Sequence, residues 1–302
     1  MHPAAAITVA DAVAALEAAY PPALAQDWDA VGLTVGDPAA PVGRVLVAVD
    51  PLPAVIDEAI AAGVDLLVTH HPLLLRGVHA VATTAPKGSA IHRLIRHGVA
   101  LFSAHTNADA AAPGVSDALA AALGVTVERP LAPQDDAAGR EGGVGIGRIG
   151  TLAAPETLAA FTRRVADALP ATAWGVRAGG DPQRTVQRVA VSGGAGDSML
   201  HLARAAGVDV YVTADLRHHP ATDHLAEPDA PALVDVAHWA SEHPWCAQAA
   251  DVLRAAAPGL EVTVSTARTD AWSLGHPSDP QRGGAAADDT GPEPAGAGAM
   301  IS

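Results

Sequence analysis

A layered α/β fold, with two lobes around one cleft, is the architecture this sequence predicts, and three observations predict it. Short apolar runs alternate with helix-patterned segments along most of the chain, the signature of strands crossed over by helices. The alternation is interrupted once, over residues 129–187, and then resumes. Metal-capable side chains cluster where the apolar runs stop, which is where open α/β sheets place their sites.

Thr8-Val-Ala-Asp11 reads as a capping box opening a helix with Val13 and Leu16 on its apolar side, and Pro21-Pro22 stops it. Residues 44–49 read as a buried strand. Residues 53–62 read as a helix that Gly63 closes. A second strand runs to His70. A short helix over 91–97 ends at Gly98, a strand follows over 99–103, and 114–124 is helical again. Residues 129–143 are rich in Pro, Asp and Gly and read as a surface loop. A strand is expected over 144–152, then a helix opened by Pro155 with Leu158, Phe161, Val165 and Leu169 on one face. After a loop at 179–183, strands are expected at 186–191, 208–213 and 233–236. The resulting division is an N-terminal α/β lobe (1–128), a central connecting region (129–187), a C-terminal α/β lobe completing the site (188–275) and a disordered tail (276–302), where Gly, Pro, Ala and Asp dominate without periodicity.

The 302 residues suffice for a sizeable core, but aromatics are only 3%, so Ala, Val and Leu must fill it. A formal net charge of −15, with Lys87 the only lysine, argues against a nucleic-acid surface. Cys246 is the only cysteine, which excludes an intrachain disulfide framework and a thiolate zinc cluster. Neither a signal-peptide pattern nor an apolar run of the ~20 residues needed to span a bilayer is present, so the expectation is a cytoplasmic protein.

The run Val64-Asp-Leu-Leu-Val-Thr-His-His-Pro72 ends in two adjacent imidazoles. Side chains on a continuing strand alternate between faces, but Pro72 breaks the strand and lets both rings turn toward one cavity. After the strand at 99–103 come His105, Asn107 and Asp109. Asp109 is placed as a hard oxygen ligand, Asn107 as a turn or cap residue, and His105 as a partner that orients ligands. His238 and Glu242 are four apart, but Pro244 disfavours a helix through His243; His238 is therefore expected to end a strand and Glu242 to enter the next helix. Singly, each of these is as readily a solvated polar residue. Together, His70, His71, His238, Asp109 and Glu242 at separate strand ends suit two divalent ions ~3.5–4 Å apart, with Zn, Mn, Fe, Co and Ni all permitted. Val191-Ser-Gly-Gly-Ala-Gly-Asp-Ser198 reads as a tight turn, since Asp197 opposes an anion there.

The ordered motifs resemble the Nif-three-like dinuclear metal-binding family, many of whose members are called GTP cyclohydrolase 1 type 2 homologs. They are Asp27-Trp28-Asp29-Ala-Val-Gly32-Leu-Thr-Val-Gly36, Thr69-His-His-Pro72, His105-Thr-Asn-Ala-Asp109, Gly145-Ile-Gly-Arg-Ile-Gly150, Ser192-Gly-Gly-Ala-Gly196, Thr213-Ala-Asp215 and His238-Trp-Ala-Ser-Glu242. The resemblance implies two related α/β lobes, a ring-like hexamer, and metal ligands at His70, His71, Asp109, His238 and Glu242. It further implies that Glu242 bridges, with His71 and Asp109 on one ion and His70 and His238 on the other. Ala30 stands where the family has Asn, and Ala214 where it has Gly.

The expected function is that of a metal-dependent hydrolase on a nucleotide or related small heterocycle, with His105 or His219 relaying a proton. The alternative is a non-enzymatic metal-handling or partner-binding protein. A phosphoesterase-like enzyme is a third reading and calls for arginines beside the metals, where only Arg76 and Arg217 lie near the motifs.

Overall fold

The computed structural model describes residues 7–134 and 143–276. At its start the predicted capping box forms: the Thr8 hydroxyl accepts from the Asp11 amide, and the Asp11 carboxylate accepts from the Thr8 amide. Helix α1 (Val9–Ala19) follows and buries Val9, Ala12 and Leu16. Strand β1 (Ile7–Thr8) pairs antiparallel with β3 (Pro41–Val42). Between them lie a single 3-10 turn at Pro22–Leu24 and strand β2 (Gly32–Val35).

The first sheet is built on three parallel neighbours, β4 (Arg44–Ala48), β5 (Leu66–Thr69) and β6 (Ala100–Ser103). Helices α2 (Pro53–Ala62) and α3 (Pro86–Arg96) make the crossovers. Every residue of β5 and β6 is buried, as expected of a parallel sheet covered on both faces. Gly63 closes α2 in the left-handed conformation, with φ 60°. Strand β2 lies antiparallel on β6 at one edge. Beyond β6 the chain forms α4 (Thr106–Ala110) and α5 (Val115–Ala122).

The second sheet contains β7 (Val125–Pro133), β8 (Gly145–Thr157), β9 (Val176–Gly179), β10 (Thr185–Ala195), β11 (Val210–Ala214) and β12 (Ala232–Val236), in the order β7-β8-β10-β11-β12-β9. Its centre, β10-β11-β12, is parallel, and β8 and β9 flank it antiparallel. Helices α6 (Leu158–Ala168), α7 (Leu200–Ala205), α8 (His218–Ala226) and α9 (His238–Ala256) complete this half. Strand β13 (Glu261–Val264) then returns to the first sheet, parallel beside β4, giving the order β13-β4-β5-β6-β2.

The two-lobed α/β class therefore holds, while the lobes exchange more chain than the sequence pattern indicates. Residues 129–187, read as a connecting region, supply most of β8, α6 and β9 to the second half, and residues 129–133 are strand rather than loop. The apolar periodicity missed β9 because its residues are partly or fully exposed at the sheet edge. Pro155 lies within β8 and does not open α6. The β8–β10 ladder is irregular around it, so its missing N–H costs no regular pairing, and Thr157 caps α6 by accepting from the Ala160 amide. The expected tail lies outside the described residues beyond 276. No helix among the described residues is long and apolar enough to cross a membrane.

The largest correction concerns α9. It begins at His238 and runs through Pro244 without ending. Burial of Trp245, Cys246, Ala249, Ala250 and Leu253 on the following turns outweighs the local penalty that proline imposes. His238 and Glu242 are consequently neighbours on one face of a helix. The same cluster of buried side chains joins Val68 and Phe102 of the first sheet to Val191, Val212 and Val234 of the second, with Leu16 and Leu119 between.

Arg148 fastens the halves. It is a buried guanidinium on β8 that holds the Asp117 carboxylate of α5 through both Nε and a terminal nitrogen, at 2.9 and 2.7 Å. It also donates to the Gly145 and Gly147 carbonyls at 2.6 and 2.8 Å and to the Ala111 carbonyl. The Gly145-Ile-Gly-Arg-Ile-Gly150 motif is thus structural. A Cβ on Gly150 would stand 2.2 Å from the Thr126 carbonyl, so glycine is required for β7 to approach. Replacing Arg148 by Met should lower stability by about 3–5 kcal/mol, because it strands a carboxylate and buried carbonyls together. A denaturant midpoint unchanged from the parent would refute this assignment.

Candidate metal centre

Five parallel strands stop around one point, and the residues just beyond them form the site. Asp50 follows β4, His70 and His71 follow β5, His105 and Asp109 follow β6, Asp215 follows β11, and β12 leads into His238 and Glu242 on α9. Thr69 and Ser103 tie the strand ends together: the Thr69 hydroxyl donates to the His71 carbonyl at 2.8 Å and lies 3.1 Å from the Ser103 hydroxyl.

Glu242 is at the centre, buried in the first turns of α9. Its Oε1 lies 3.0 Å from His238 Nε2 and 3.5 Å from His70 Nε2, and its Oε2 lies 3.2 Å from His71 Nε2. Asp109 Oδ1 stands 3.8 Å from His70 Nε2 on the far side. His105 joins from β6, with ring centroids 5.2 Å from His70 and 5.4 Å from His71. Among the described residues, two groups have ligand atoms close enough to hold an ion, within 4.8 Å of one another: His70, His71 and His105, and His71, His238 and Glu242. His70 Nε2 thus faces both Glu242 and Asp109, and His71 Nε2 faces Glu242 beside His238. The two rings diverge at the strand end, His71 toward Asp50 and His70 toward the Ala104 carbonyl.

Each imidazole is held by its Nδ1, which leaves Nε2 directed at the centre. His71 Nδ1 meets Asp50 Oδ1 at 2.7 Å, His238 Nδ1 meets Asp215 Oδ2 at 2.7 Å, and His105 Nδ1 meets Asp29 Oδ1 at 2.9 Å. His70 Nδ1 lies 2.9 Å from the Ala104 carbonyl, which can only accept, so its Nε2 is the unprotonated nitrogen of the neutral ring. Carboxylate and carbonyl partners of this kind fix the tautomer and orientation of ligating histidines. Asp50 and Asp29 were not singled out as partners from sequence. Asp50 carries the same signal as His70, a polar residue at the end of an apolar strand. Asp215 adopts φ 57°, a left-handed conformation that aspartate tolerates, in order to reach His238.

The electrostatics follow from this crowding. Burial opposes charge on His71 and His238, yet Glu242 and the aspartate behind each ring prevail and lift them to about 10 and about 11. Burial also opposes ionisation of Glu242, but the surrounding imidazoles hold it well below the usual carboxylate range. Asp109 is raised to about 6 by burial, with the Glu242 charge adding to it. His105 is lowered by burial and by the charge of His70.

Three observations show that these residues suit cations. His70 Nε2 and Glu242 Oε2 are shielded from solvent and have no hydrogen-bond partner, which buried polar atoms rarely tolerate. The donor set is imidazole and carboxylate, the chemistry of first-row divalent ions. Finally, Gly194 keeps the space open: at φ 67°, a Cβ there would sit 2.6 Å from Glu242 Oε1 and 3.2 Å from His238 Nε2. Of the segment expected to be a tight turn, residues up to Ala195 form the end of β10 and a 3-10 turn follows at Asp197–Met199; Gly193 and Gly194 leave room for Glu242 and His238. Asn107 is structural, with its side chain bonded to the His105 amide and the Tyr20 carbonyl. His219, expected as a proton relay, is exposed on α8 beside His218 and forms no part of the cluster.

Fold and site together define an α/β protein of two lobes with a buried histidine–carboxylate cluster compatible with metal. The sequence profile of Duf34/NIF3 (NGG1p interacting factor 3) matches residues 7–271, and the chain belongs to that family. It is 50% identical to a GTP cyclohydrolase 1 type 2 homolog from Streptomyces coelicolor, over 88% of this chain and 93% of the relative. The protein of that name from Mycobacterium leprae is 42% identical over 88% of this chain and 95% of the relative. That alignment spans 370 positions against the 302 residues here, so the relative carries inserted sequence that this chain lacks. Among solved structures, the Staphylococcus aureus hypothetical protein SA1388 superposes with a TM-score of 0.80 at 27% identity, covering 89% of this chain and 99% of the other.

Cys246 lies one turn beyond Glu242 and is buried. Burial pushes its thiol up, and the Glu242 and Asp50 charges push in the same direction. Since the thiolate is the reactive species, iodoacetamide at pH 8 should leave the native protein unlabelled and modify Cys246 only after unfolding. Rapid labelling of the folded chain, read by mass spectrometry, would contradict this placement.

Proposed function

We propose that the protein binds two divalent ions through His70, His71, Asp109, His238 and Glu242, with Glu242 shared between them, and acts as a hydrolase on a nucleotide or related small heterocycle. The observation that carries the reading is the Glu242 carboxylate, buried within 3.5 Å of three imidazole nitrogens while its Oε2 and His70 Nε2 lack hydrogen-bond partners. Such ions would supply Lewis acidity and an activated water near neutral pH. The chain's own part is positional. Asp50 and Asp215 hold His71 and His238 in register, and Asp29 orients His105, which is aimed at the cluster and suited to exchange a proton there. The hydrolase assignment leans on the names of the relatives, and assembly into a hexameric ring rests on the family resemblance. Light scattering tests the latter directly.

A cavity of about 530 Å³ opens onto His71 and His238, which favours catalysis on a small molecule over metal handling alone. Among the described residues no arginine lines it, and Arg217 is engaged with Asp197 at 2.6 Å. The phosphoesterase reading therefore gains no support.

Elemental analysis of gently purified protein should find about two ions per chain, and Glu242→Ala should lose them together with GTP turnover. Metal at parental level in that variant would refute the ligand set; two ions without turnover would retain the site and move the function to metal handling. Asp215→Asn should hold its metal about 10- to 100-fold more weakly in chelator competition, as expected when the partner of a ligating histidine is weakened. An unchanged affinity would show that Asp215 does not position His238.

A further inference from the structure

The cavity beside the cluster has a chemistry of its own. Along with His71 and His238 its lining includes Trp174, Trp239, Asp270 and Trp272. Trp174 and Trp272 come from distant parts of the chain, the approach to β9 and the segment after β13, and meet with ring centroids 6.3 Å apart and 31° between planes. Although indoles are among the side chains most strongly drawn to burial, Trp174 remains 38% exposed and Trp272 59%. The segment is seated by close contact, since a Cβ on Gly275 would lie 2.1 Å from the Ala173 carbonyl. Arg177, whose guanidinium sits 4.3 Å over the Trp174 ring, backs that wall and is itself paired with Asp235 at 2.6 Å.

Of the three aspartates in the lining, two are engaged. Asp50 holds His71 and accepts from the Thr269 hydroxyl, and Asp215 holds His238. Asp270 is different: its Oδ2 is withdrawn from solvent and has no hydrogen-bond partner. An acceptor in that state is costly unless a donor arrives. The terminal torsion of a carboxylate is soft, so a small rotation presents Oδ2 to a group in the cavity. Among the described residues, no Lys or Arg lines the cavity to receive a phosphate.

We propose that this cavity is the recognition pocket for a planar nitrogen heterocycle. The ring stacks against the Trp174–Trp272 wall, an N–H on its edge donates to Asp270, and any phosphate points away from the acidic lining. Asp270 is then a specificity-determining residue and the tryptophans are sequence-tolerant platforms, because every such ring has a face to stack. The proposal rests on the reading of the cluster as a catalytic metal centre facing this cavity.

The test is isothermal titration of the full-length protein, with its native metal, using guanosine and purine riboside. The two share a ring system and a sugar, but only guanosine has N–H donors on the base. Metal content and melting temperature are measured on the same samples. Guanosine should bind about tenfold more tightly than purine riboside, the scale of one unmade hydrogen bond to a charged acceptor. Asp270→Ala should erase that difference, Trp272→Ala should weaken both ligands about tenfold, and Trp272→Phe should restore most of the loss. Equal affinity of the two nucleosides for the parent, discrimination that survives Asp270→Ala, or no binding of either nucleoside to a metal-loaded chain overturns the pocket. A chain without metal overturns the metal reading instead, and nucleoside binding then judges the pocket alone.

Discussion

One buried carboxylate organises this protein. Glu242 can remain ionised at 3% side-chain exposure only because imidazoles from both sheets surround it. That requirement links β5, β12 and α9 at a single point and explains the local departures from regular structure nearby. Position 194 is glycine, so no Cβ meets the carboxylate, and Asp215 adopts a positive φ where it reaches the histidine beside it. The helix that carries Glu242 tolerates an interior proline, because its following turns fill the core shared by both halves.

The support around the centre repeats one device. Each histidine has its Nδ1 tied to an oxygen acceptor, three times an aspartate and once a main-chain carbonyl. The aspartates add negative charge behind the rings, which raises their basicity and favours a bound cation. The same lining makes the adjoining cavity acidic, so the histidine–carboxylate cluster and the indole wall present different chemistry to whatever enters. A small molecule that suits both would lay a ring on the wall, turn its reactive atoms toward the cluster and direct any anionic portion away from the aspartates.

Much of the fold was legible because its signals are local. The capping box at Thr8, the glycine stop at Gly63 and the buried runs of β4, β5 and β6 depend on neighbours in sequence. Edge strand β9 was not legible, since its exposed residues carry no apolar pattern. Pro155 and Pro244 misled for a common reason: proline's local preference was outweighed, at Pro155 by an irregular ladder that did not need its N–H and at Pro244 by core burial. Near the strand ends, His70, His71, Asp109, His238 and Glu242 were legible as metal-capable side chains from residue type and position. Which of their atoms meet was not, because that depends on which way His70 and His71 leave the strand. His219, near Asp215 in sequence, lies exposed on α8 and is not among the grouped ligand atoms.

By itself the sequence determined the α/β alternation, the acidic and lysine-poor surface, and the set of metal-capable side chains at strand ends, because each is a matter of composition or short-range periodicity. Only the tertiary structure decided that β13 returns to the first sheet, that Arg148 clasps α5, and that Asp50, Asp215 and Asp29 stand behind the histidines. These are contacts between residues tens to hundreds of positions apart. They exist because burying one continuous core brings the carboxyl ends of two sheets face to face, and no local pattern encodes that meeting.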